Sequence, residues 1–183
     1  MNTEQMLVAG ATDLVIETKR RVELRTPTLD DVDAMTSLIG AWAVQGLTLA
    51  RTPEDVAANL EDFIVAESDG IIIACAALEL VEPSLGEIRS VSVSSAVLGT
   101  GAGRLVVEGL LRRAESLGLD EVVLLTKTPA FFAKVGFVSV TPEELPGAYM
   151  RGSIIAKGRS LVGRTAMSFQ VASVALESAA ERA

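Results

Sequence analysis

Two β-rich runs joined by Asp69-Gly70 constrain the fold of this chain more than any other feature. The runs are FIVAES, residues 63–68, and IIIACAALEL, residues 71–80. Asp-Gly is a preferred pair for the two-residue turn of a β-hairpin, because both turn positions need a positive φ. The pattern therefore predicts two adjacent antiparallel strands. Cys75, the single cysteine, lies in the second run and is expected to be a small buried hydrophobe.

The rest of the chain adds five predicted strands and four predicted helices. Thr28 and Thr52 are expected to cap the first two helices, and a turn is expected around Pro83, Ser84 and Gly86. A polar, glycine-containing segment at 142–163 should connect the last two strands, and the Ala-rich tail is expected to form a short helix. The order β-α-α-β-β-β-α-β-α-β-β predicts a mixed sheet with helices on its faces. The five strands are predicted at 20–26, 87–93, 121–126, 137–141 and 165–172, and the later two helices at 101–117 and 129–135.

The charge and hydropathy of the chain exclude several classes of protein. The formal net charge is −8, so the protein should repel the phosphate backbone of nucleic acids. No apolar run reaches the roughly 18–20 residues that a bilayer span requires. The amino terminus lacks the basic region that precedes the apolar part of a secretory signal. We therefore expect a cytoplasmic protein that binds neither nucleic acid nor membrane.

The absence of histidine from the sequence excludes most familiar catalytic arrangements. Ser-His-Asp and Cys-His nucleophile sites need histidine, and a single cysteine leaves no Cys/His metal site. We expect no metal. Proton transfer must then fall to a carboxylate, a lysine, a hydroxyl, a water or Tyr149, the only tyrosine.

A glycine-rich loop at 94–105, SSAVLGTGAGRL, predicts a phosphate site between a strand and a long helix. A nucleotide P-loop needs Gly-Lys-Ser/Thr, which does not occur in the sequence. A dinucleotide loop needs a third glycine where Arg104 stands. A loop whose amides converge on a pyrophosphate, with Arg104 as an added cation, fits the glycines best. By itself the loop is also compatible with a ligand-free turn.

With its neighbouring segments, the loop resembles the pyrophosphate loop of the GNAT family of acetyl-CoA-dependent N-acetyltransferases. The resemblance covers about residues 21–172. It implies an α/β (α+β) fold, with a mixed, mostly antiparallel sheet of six to seven strands flanked by helices, and acetyl-CoA as the co-substrate. We expect the acetyltransferase domain at 20–173, an N-terminal extension at 1–19 and a tail at 174–183.

Five segments in order look like the acetyltransferase domain of bacterial N-acetylglutamate synthases, in a short stand-alone form. This likeness implies transfer of the acetyl group to the α-amine of an amino acid, with L-glutamate expected. The alternatives are a GNAT enzyme for another small amine or a peptide, and a non-catalytic acyl-CoA sensor. The partner is expected to be a small molecule, and a homodimer is left open. The segments lie at 43–56, 63–80, 86–93, 124–137 and 143–149.

The resemblance also implies roles for individual residues. Glu87 should be the general base, and Thr126 should protonate the leaving thiolate, with Tyr149 as the alternative acid. Leu98 stands where the family usually has Arg or Gln, which removes one phosphate contact. Expected acetyl-CoA contacts are Val91, Val93, Leu98, Gly99, Thr100, Gly101, Ala102, Gly103, Arg104, Phe131 and Phe132. The expected acceptor contacts are Arg51, Arg89 and Arg159, whose planar guanidinium groups suit carboxylates, and Lys127, which adds an ammonium group.

Overall fold

Seven strands form one mixed sheet in the computed structural model, which describes residues 21–171. Their order across the sheet is β1-β2-β3-β4-β5-β7-β6. Neighbouring strands are antiparallel except β4 and β5, which are parallel. The expected mostly antiparallel sheet is therefore confirmed. The strands are β1 Val22–Arg25, β2 Phe63–Ser68, β3 Ile71–Glu82, β4 Leu85–Val93, β5 Glu121–Thr126, β6 Val138–Val140 and β7 Thr165–Gln170.

Helices cover both faces of this sheet. None of those within residues 21–171 is both long and apolar enough to cross a membrane. The helices are α1 Val32–Ala43, α2 Pro53–Ala58, α3 Ala102–Ser116, α4 Pro129–Ala133 and α5 Gly147–Tyr149, which continues into a π-helix at Met150–Ile155. Short 3₁₀ turns lie at Leu29–Asp31, Leu60–Asp62, Ser95–Val97 and Pro142–Glu144.

Several local signals act where the sequence predicted them, but Thr28 caps the 3₁₀ turn Leu29–Asp31 rather than α1 itself, which begins at Val32. The Thr52 hydroxyl accepts a hydrogen bond from the Asp55 amide at 3.2 Å, which caps α2. Asp69 and Gly70 have φ values of 52° and 77°, as a hairpin turn of this kind requires. Gly118, with φ of 70°, follows the end of α3.

Three apolar clusters hold the helices to the sheet. On one face, α3 and α4 pack over alternate residues of β2 to β5. On the other face, α1 and α2 cover β2 and β3, while α5 and the π-helix cover the β4–β5 side. Cys75 is fully buried beneath α1, where burial raises the pKa of its thiol to about 12, so it is the inert hydrophobe expected.

The parallel strands β4 and β5 separate part-way along their length. They pair only where Leu85–Glu87 face Glu121–Val123. Both strands continue beyond this point, to Val93 and to Thr126. A gap therefore opens between the last residues of β4 and those of β5, near the centre of the sheet.

Three expectations need correction. Gly86 lies inside β4 rather than in the preceding turn. A glycine is needed at this strand position, because a Cβ there would come within 2.8 Å of Leu78 and 2.9 Å of Leu119. The 142–163 segment carries α5 and the π-helix, and their apolar residues pack on the sheet. β4 carries a bulge, since Ala77 pairs with Arg89 but Cys75 pairs with Ser92. The predicted tail helix and both proposed extensions, 1–19 and 174–183, lie outside the described residues.

Candidate active site

A cavity of about 450 Å³ fills the gap between β4 and β5, and we call it the strand-gap cavity. Its walls come from the ends of both strands, from the glycine loop and the start of α3, and from α4. All of the sequence-predicted acetyl-CoA contacts except Thr100 line it. The hydroxyl of Thr100 instead donates to the Val97 carbonyl at 2.7 Å, inside the loop itself. The separation of the strands thus brings the predicted contacts together.

The glycine loop presents the first turn of α3 to the strand-gap cavity. Gly101, the residue before the helix, has φ of 96° and makes no side-chain cap. The first amides of a helix have no partner within the helix, so here they are available to an anion. Gly103 allows close packing, because a Cβ there would lie 3.0 Å from Val93 and 3.4 Å from Phe131.

Glu87 lies at the centre of a buried hydrogen-bonded group on β4. Its side chain is fully buried, although it is a carboxylate. Tyr149 donates its hydroxyl proton to Oε1 at 3.0 Å. The guanidinium of Arg159 lies 2.6 Å from the same oxygen and 2.8 Å from Oε2. Both carboxylate oxygens are therefore satisfied, as a buried charge requires.

Tyr149 is held in its neutral form. Burial raises the pKa of its hydroxyl above the usual value, and the negative charge of Glu87 raises it further. Because the pKa of a tyrosine hydroxyl is ordinarily about 10, a further increase keeps the proton on Tyr149 throughout the neutral range. Within residues 21–171, Tyr149 belongs to the lining of neither cavity described here, so in this arrangement it serves Glu87.

A second cavity of about 390 Å³ lies on the face between α1–α2 and the π-helix, and we call it the charged cavity. It adjoins the strand-gap cavity, since Leu49 and Arg89 line both. Arg89 and Glu87 are two residues apart on β4 and share one face, as their parity predicted. The lining consists of Leu49, Ala50, Arg51, Asp55, Asn59, Asp62, Glu79, Arg89 and Lys157.

Every cation of the charged cavity has an acidic partner within the protein. Arg51 donates to Asp55 at 2.9 Å and to the Ser90 hydroxyl at 2.9 Å. Arg89 and Lys157 both donate to Glu79, one to each carboxylate oxygen. Burial alone would raise the pKa of Glu79, but Lys157 and Arg89 outweigh it and lower the pKa. Glu79 therefore stays ionised at neutral pH.

Comparison with known proteins decides the family. The model of the acetyltransferase (GNAT) family matches residues 33–137, which run from α1 to the start of β6 and include both cavities' strands. The chain belongs to the GNAT family. It is thus an acetyl-CoA-dependent N-acetyltransferase, and acetyl-CoA is its co-substrate.

Two curated proteins illustrate the relatives to which the chain is similar. An uncharacterized N-acetyltransferase, CT2212, of Chlorobaculum tepidum is 32% identical over 123 residues, which cover 67% of this chain and 79% of that protein. An amino-acid acetyltransferase of Ralstonia nicotianae is 36% identical over 125 residues, covering 67% of this chain but 28% of that protein. The chain therefore spans under a third of this longer relative.

The fold also superposes on a solved structure. N-acetylglutamate synthase from Neisseria gonorrhoeae, complexed with coenzyme A and N-acetyl-glutamate, matches with a TM-score of 0.74 and 26% identity. The match covers 83% of this chain and 35% of that one.

The other predicted residues of this GNAT site differ in their placement. Thr126 lines the strand-gap cavity, and its hydroxyl accepts the Thr128 amide at 2.9 Å. Lys127 is exposed beside Gly46 and, among the described residues, is not part of either cavity lining, so it is not brought to the site. The Val93 carbonyl accepts the indole N–H of Trp42 at 2.8 Å, so it is engaged within the protein.

Four of the residues at the site that sequence reasoning missed matter most to its geometry. Trp42 forms part of the strand-gap cavity, while Glu79 and Lys157 form part of the charged cavity. Ser90 binds Arg51 because the β4 bulge gives it φ of 54°. The cross-strand pair of Glu79 with Glu87 was a usable signal, since two facing acids on buried strands require cations nearby.

Proposed function

We propose that this protein transfers the acetyl group of acetyl-CoA to the α-amine of L-glutamate. The observation that carries the proposal is the position of the charged cavity, which opens beside the strand-gap cavity and shares Arg89 with it. An acceptor held by its carboxylates in the charged cavity would present its amine toward the gap between the strands. The likeness to a synthase complexed with N-acetyl-glutamate supports the same acceptor.

Coenzyme A would enter through the strand-gap cavity with its pyrophosphate at the glycine loop. The amides of Gly99 and of residues 101–103, with the positive end of α3, would bind the phosphates, while the Thr100 amide donates to the Val97 carbonyl within the loop. The apolar ends of β4 and β5, with Phe131 and Phe132, would enclose the pantetheine arm. Leu98 is half exposed at this cavity and offers no charge to the phosphates. The thioester would then lie near Thr126.

The acceptor carboxylates would bind Arg51 and Arg89, with Arg159 as a third cation. Arg51 is held by Ser90 and stacked over Phe63 at 5.5 Å, so its guanidinium is already oriented. Arg159 lines the strand-gap cavity while its guanidinium binds Glu87. An acceptor carboxylate that attracts Arg159 would draw it from Glu87 and free that carboxylate.

Glu87 would serve as the general base once it is freed. Glu87 would take one proton from the acceptor ammonium, directly or through a water, which leaves a neutral amine. The amine nitrogen would then attack the thioester carbonyl, so that the C–N bond forms, the C–S bond breaks and the nitrogen releases its second proton to solvent. Thr126 would donate its proton to the departing thiolate and recover one from solvent. Its hydroxyl oxygen accepts the Thr128 amide at 2.9 Å and lies 3.2 Å from the Thr128 hydroxyl, so Thr126 would turn its proton to the thiolate when the Thr128 hydroxyl is the donor of that pair.

This activity would make the protein the enzyme of the first step of arginine biosynthesis, acting in the cytoplasm.

A coupled assay of coenzyme A release tests the acceptor, using L-glutamate, L-aspartate, L-glutamine, L-lysine and spermidine. L-Glutamate should have the highest kcat/KM. Turnover of spermidine without turnover of L-glutamate would refute the proposal, and so would tight acetyl-CoA binding with no turnover of any acceptor.

A further inference from the structure

Glu79 occupies a position in the charged cavity that the proposed reaction does not use. It lies on β3 directly across from Glu87, and one of its carboxylate oxygens accepts from Arg89 while the other accepts from Lys157. A single carboxylate thus holds two cations, in the manner expected of a substrate carboxylate. Its side chain is only 27% exposed, so solvent screens this arrangement weakly.

Lys157 is the less constrained of the two cations. It follows the π-helix, and its side chain is 41% exposed, compared with 17% for Arg89. An ammonium group on a flexible stem can exchange one carboxylate for another with little loss of geometry. Lys157 can therefore leave Glu79 for a ligand, while Arg89 remains fixed to the sheet.

The charged cavity as a whole has as many acids as cations. Its cations are Arg51, Arg89 and Lys157, and its acids are Asp55, Asp62 and Glu79. An acceptor with two carboxylates must compete with these internal acids for every cation. A carboxylate fixed a few ångströms from the bound side chain also repels a like charge directly.

We infer that Glu79 is a specificity-determining residue, which neutralises Arg89 and Lys157 and so weakens the preference of the cavity for a second acceptor carboxylate. Lys157 is then a further acceptor-binding residue with the opposite effect. The inference rests on the proposed function, because it concerns how the acceptor side chain is recognised. Selectivity for acceptor charge is thereby set by a residue pair that joins two distant elements, β3 and the segment after the π-helix.

L-Glutamate and L-glutamine test this inference, because they have nearly the same shape and differ by one charge. The measured quantity is the ratio of kcat/KM for L-glutamate to kcat/KM for L-glutamine. Glu79→Gln should raise this ratio about tenfold, and Lys157→Gln should lower it about tenfold. Each variant removes one charge close to the acceptor side chain, and solvent screens that charge only in part. The double variant should return the ratio to within about threefold of the wild type.

Glu67→Gln is the matched control. Glu67 is a partly buried strand residue, 29% exposed, whose carboxylate also pairs with an arginine, Arg25, but on the far side of β2 from the charged cavity's lining. It should leave the ratio unchanged. A purely structural role for Glu79 would lower both activities together in each variant.

The outcomes separate the two proposals. If the wild type acetylates L-glutamate but the ratio in Glu79→Gln equals that of the wild type, only the inference is overturned. A ratio that falls in Glu79→Gln also overturns it. If the wild type acetylates no amino acid while it acetylates another amine, the proposed function fails, and this inference fails with it.

Discussion

The two cavities of this protein are built in opposite ways. Most of the strand-gap cavity is formed by consecutive parts of the chain, namely β4, the glycine loop, the start of α3 and then β5 with α4, and Trp42, the loop after α1, Arg159 and Arg164 complete it. Its expected interactions use backbone amides and apolar walls. The charged cavity draws its residues from the loop before α2, from α2 and the 3₁₀ turn after it, from β3 and β4, and from the segment after the π-helix, and its cations are paired with internal acids. The glycine-loop part of the strand-gap cavity can be predicted from a local motif, whereas the charged cavity forms only when distant residues are brought together by folding.

The largest expected effect concerns the point where the cavities meet. Glu87→Gln should lower kcat about 10²–10⁴-fold, because removal of a general base leaves proton transfer to solvent. KM for acetyl-CoA should change little, since the glycine loop is untouched. Single-turnover kinetics check the chemical step, and the melting temperature checks folding. An unchanged kcat would show that the base lies elsewhere.

A change confined to the charged cavity should affect only the acceptor. Arg51→Gln should raise KM for L-glutamate about 30-fold, because a charge-assisted hydrogen bond contributes roughly 1.5–3 kcal/mol. KM for acetyl-CoA should stay within about twofold of the wild type. Initial-rate kinetics with each substrate varied in turn provide the measurement.

Arg21→Gln is the control for that variant, since Arg21 pairs with Glu23 at the exposed edge of the sheet. It should leave both KM values unchanged. Equal increases of both KM values in Arg51→Gln would contradict the separation of the two cavities.

A change confined to the glycine loop should affect only acetyl-CoA. Gly101→Ala places a Cβ at φ of 96°, which costs on the order of 1 kcal/mol of strain and displaces the loop amides. KM for acetyl-CoA should rise about tenfold, with KM for L-glutamate nearly constant. Isothermal titration of coenzyme A gives the affinity independently of turnover.

Gly70→Ala is the control, because it introduces similar backbone strain at a position away from the coenzyme A site. Gly70 has φ of 77° in the β2–β3 turn and, like Gly101, open space around its Cβ position. Both variants should lose similar stability, but only Gly101→Ala should lose coenzyme A affinity. Similar losses of affinity in both would mean that the loop acts only through folding.

The smallest expected effect is a gain. Leu98→Arg adds a cation where Leu98 is half exposed at the strand-gap cavity. It should lower KM for acetyl-CoA about three- to tenfold at low salt, and the gain should shrink as ionic strength rises. A salt-independent change, or a change in KM for L-glutamate instead, would contradict the placement of phosphates at this residue.

Sequence reasoning succeeded where structure depends on near neighbours. The Asp69-Gly70 hairpin, the Thr52 cap and the end of α3 before Gly118 all follow from the preferences of one or two residues. The glycine loop could likewise be placed between a strand and a helix. Seven strands and the mixed sheet then followed from their order along the chain.

The same reasoning failed where tertiary packing decides. Gly86 signals a turn in isolation, but Leu78 and Leu119 require a glycine inside β4. The bulge at Ser90 changes which face the following residues occupy, and no local pattern announces it. Glu79 and Lys157 are 78 residues apart and meet only in the folded sheet.

A crystal structure of the protein with coenzyme A and N-acetyl-L-glutamate tests the central claim most directly. The account predicts the pyrophosphate at the amides of Gly99 and residues 101–103 and the acetyl-glutamate carboxylates at Arg51 and Arg89, with Arg159 drawn from Glu87. Coenzyme A bound outside the gap between β4 and β5, or an acceptor whose carboxylates do not contact Arg51 and Arg89, would contradict it.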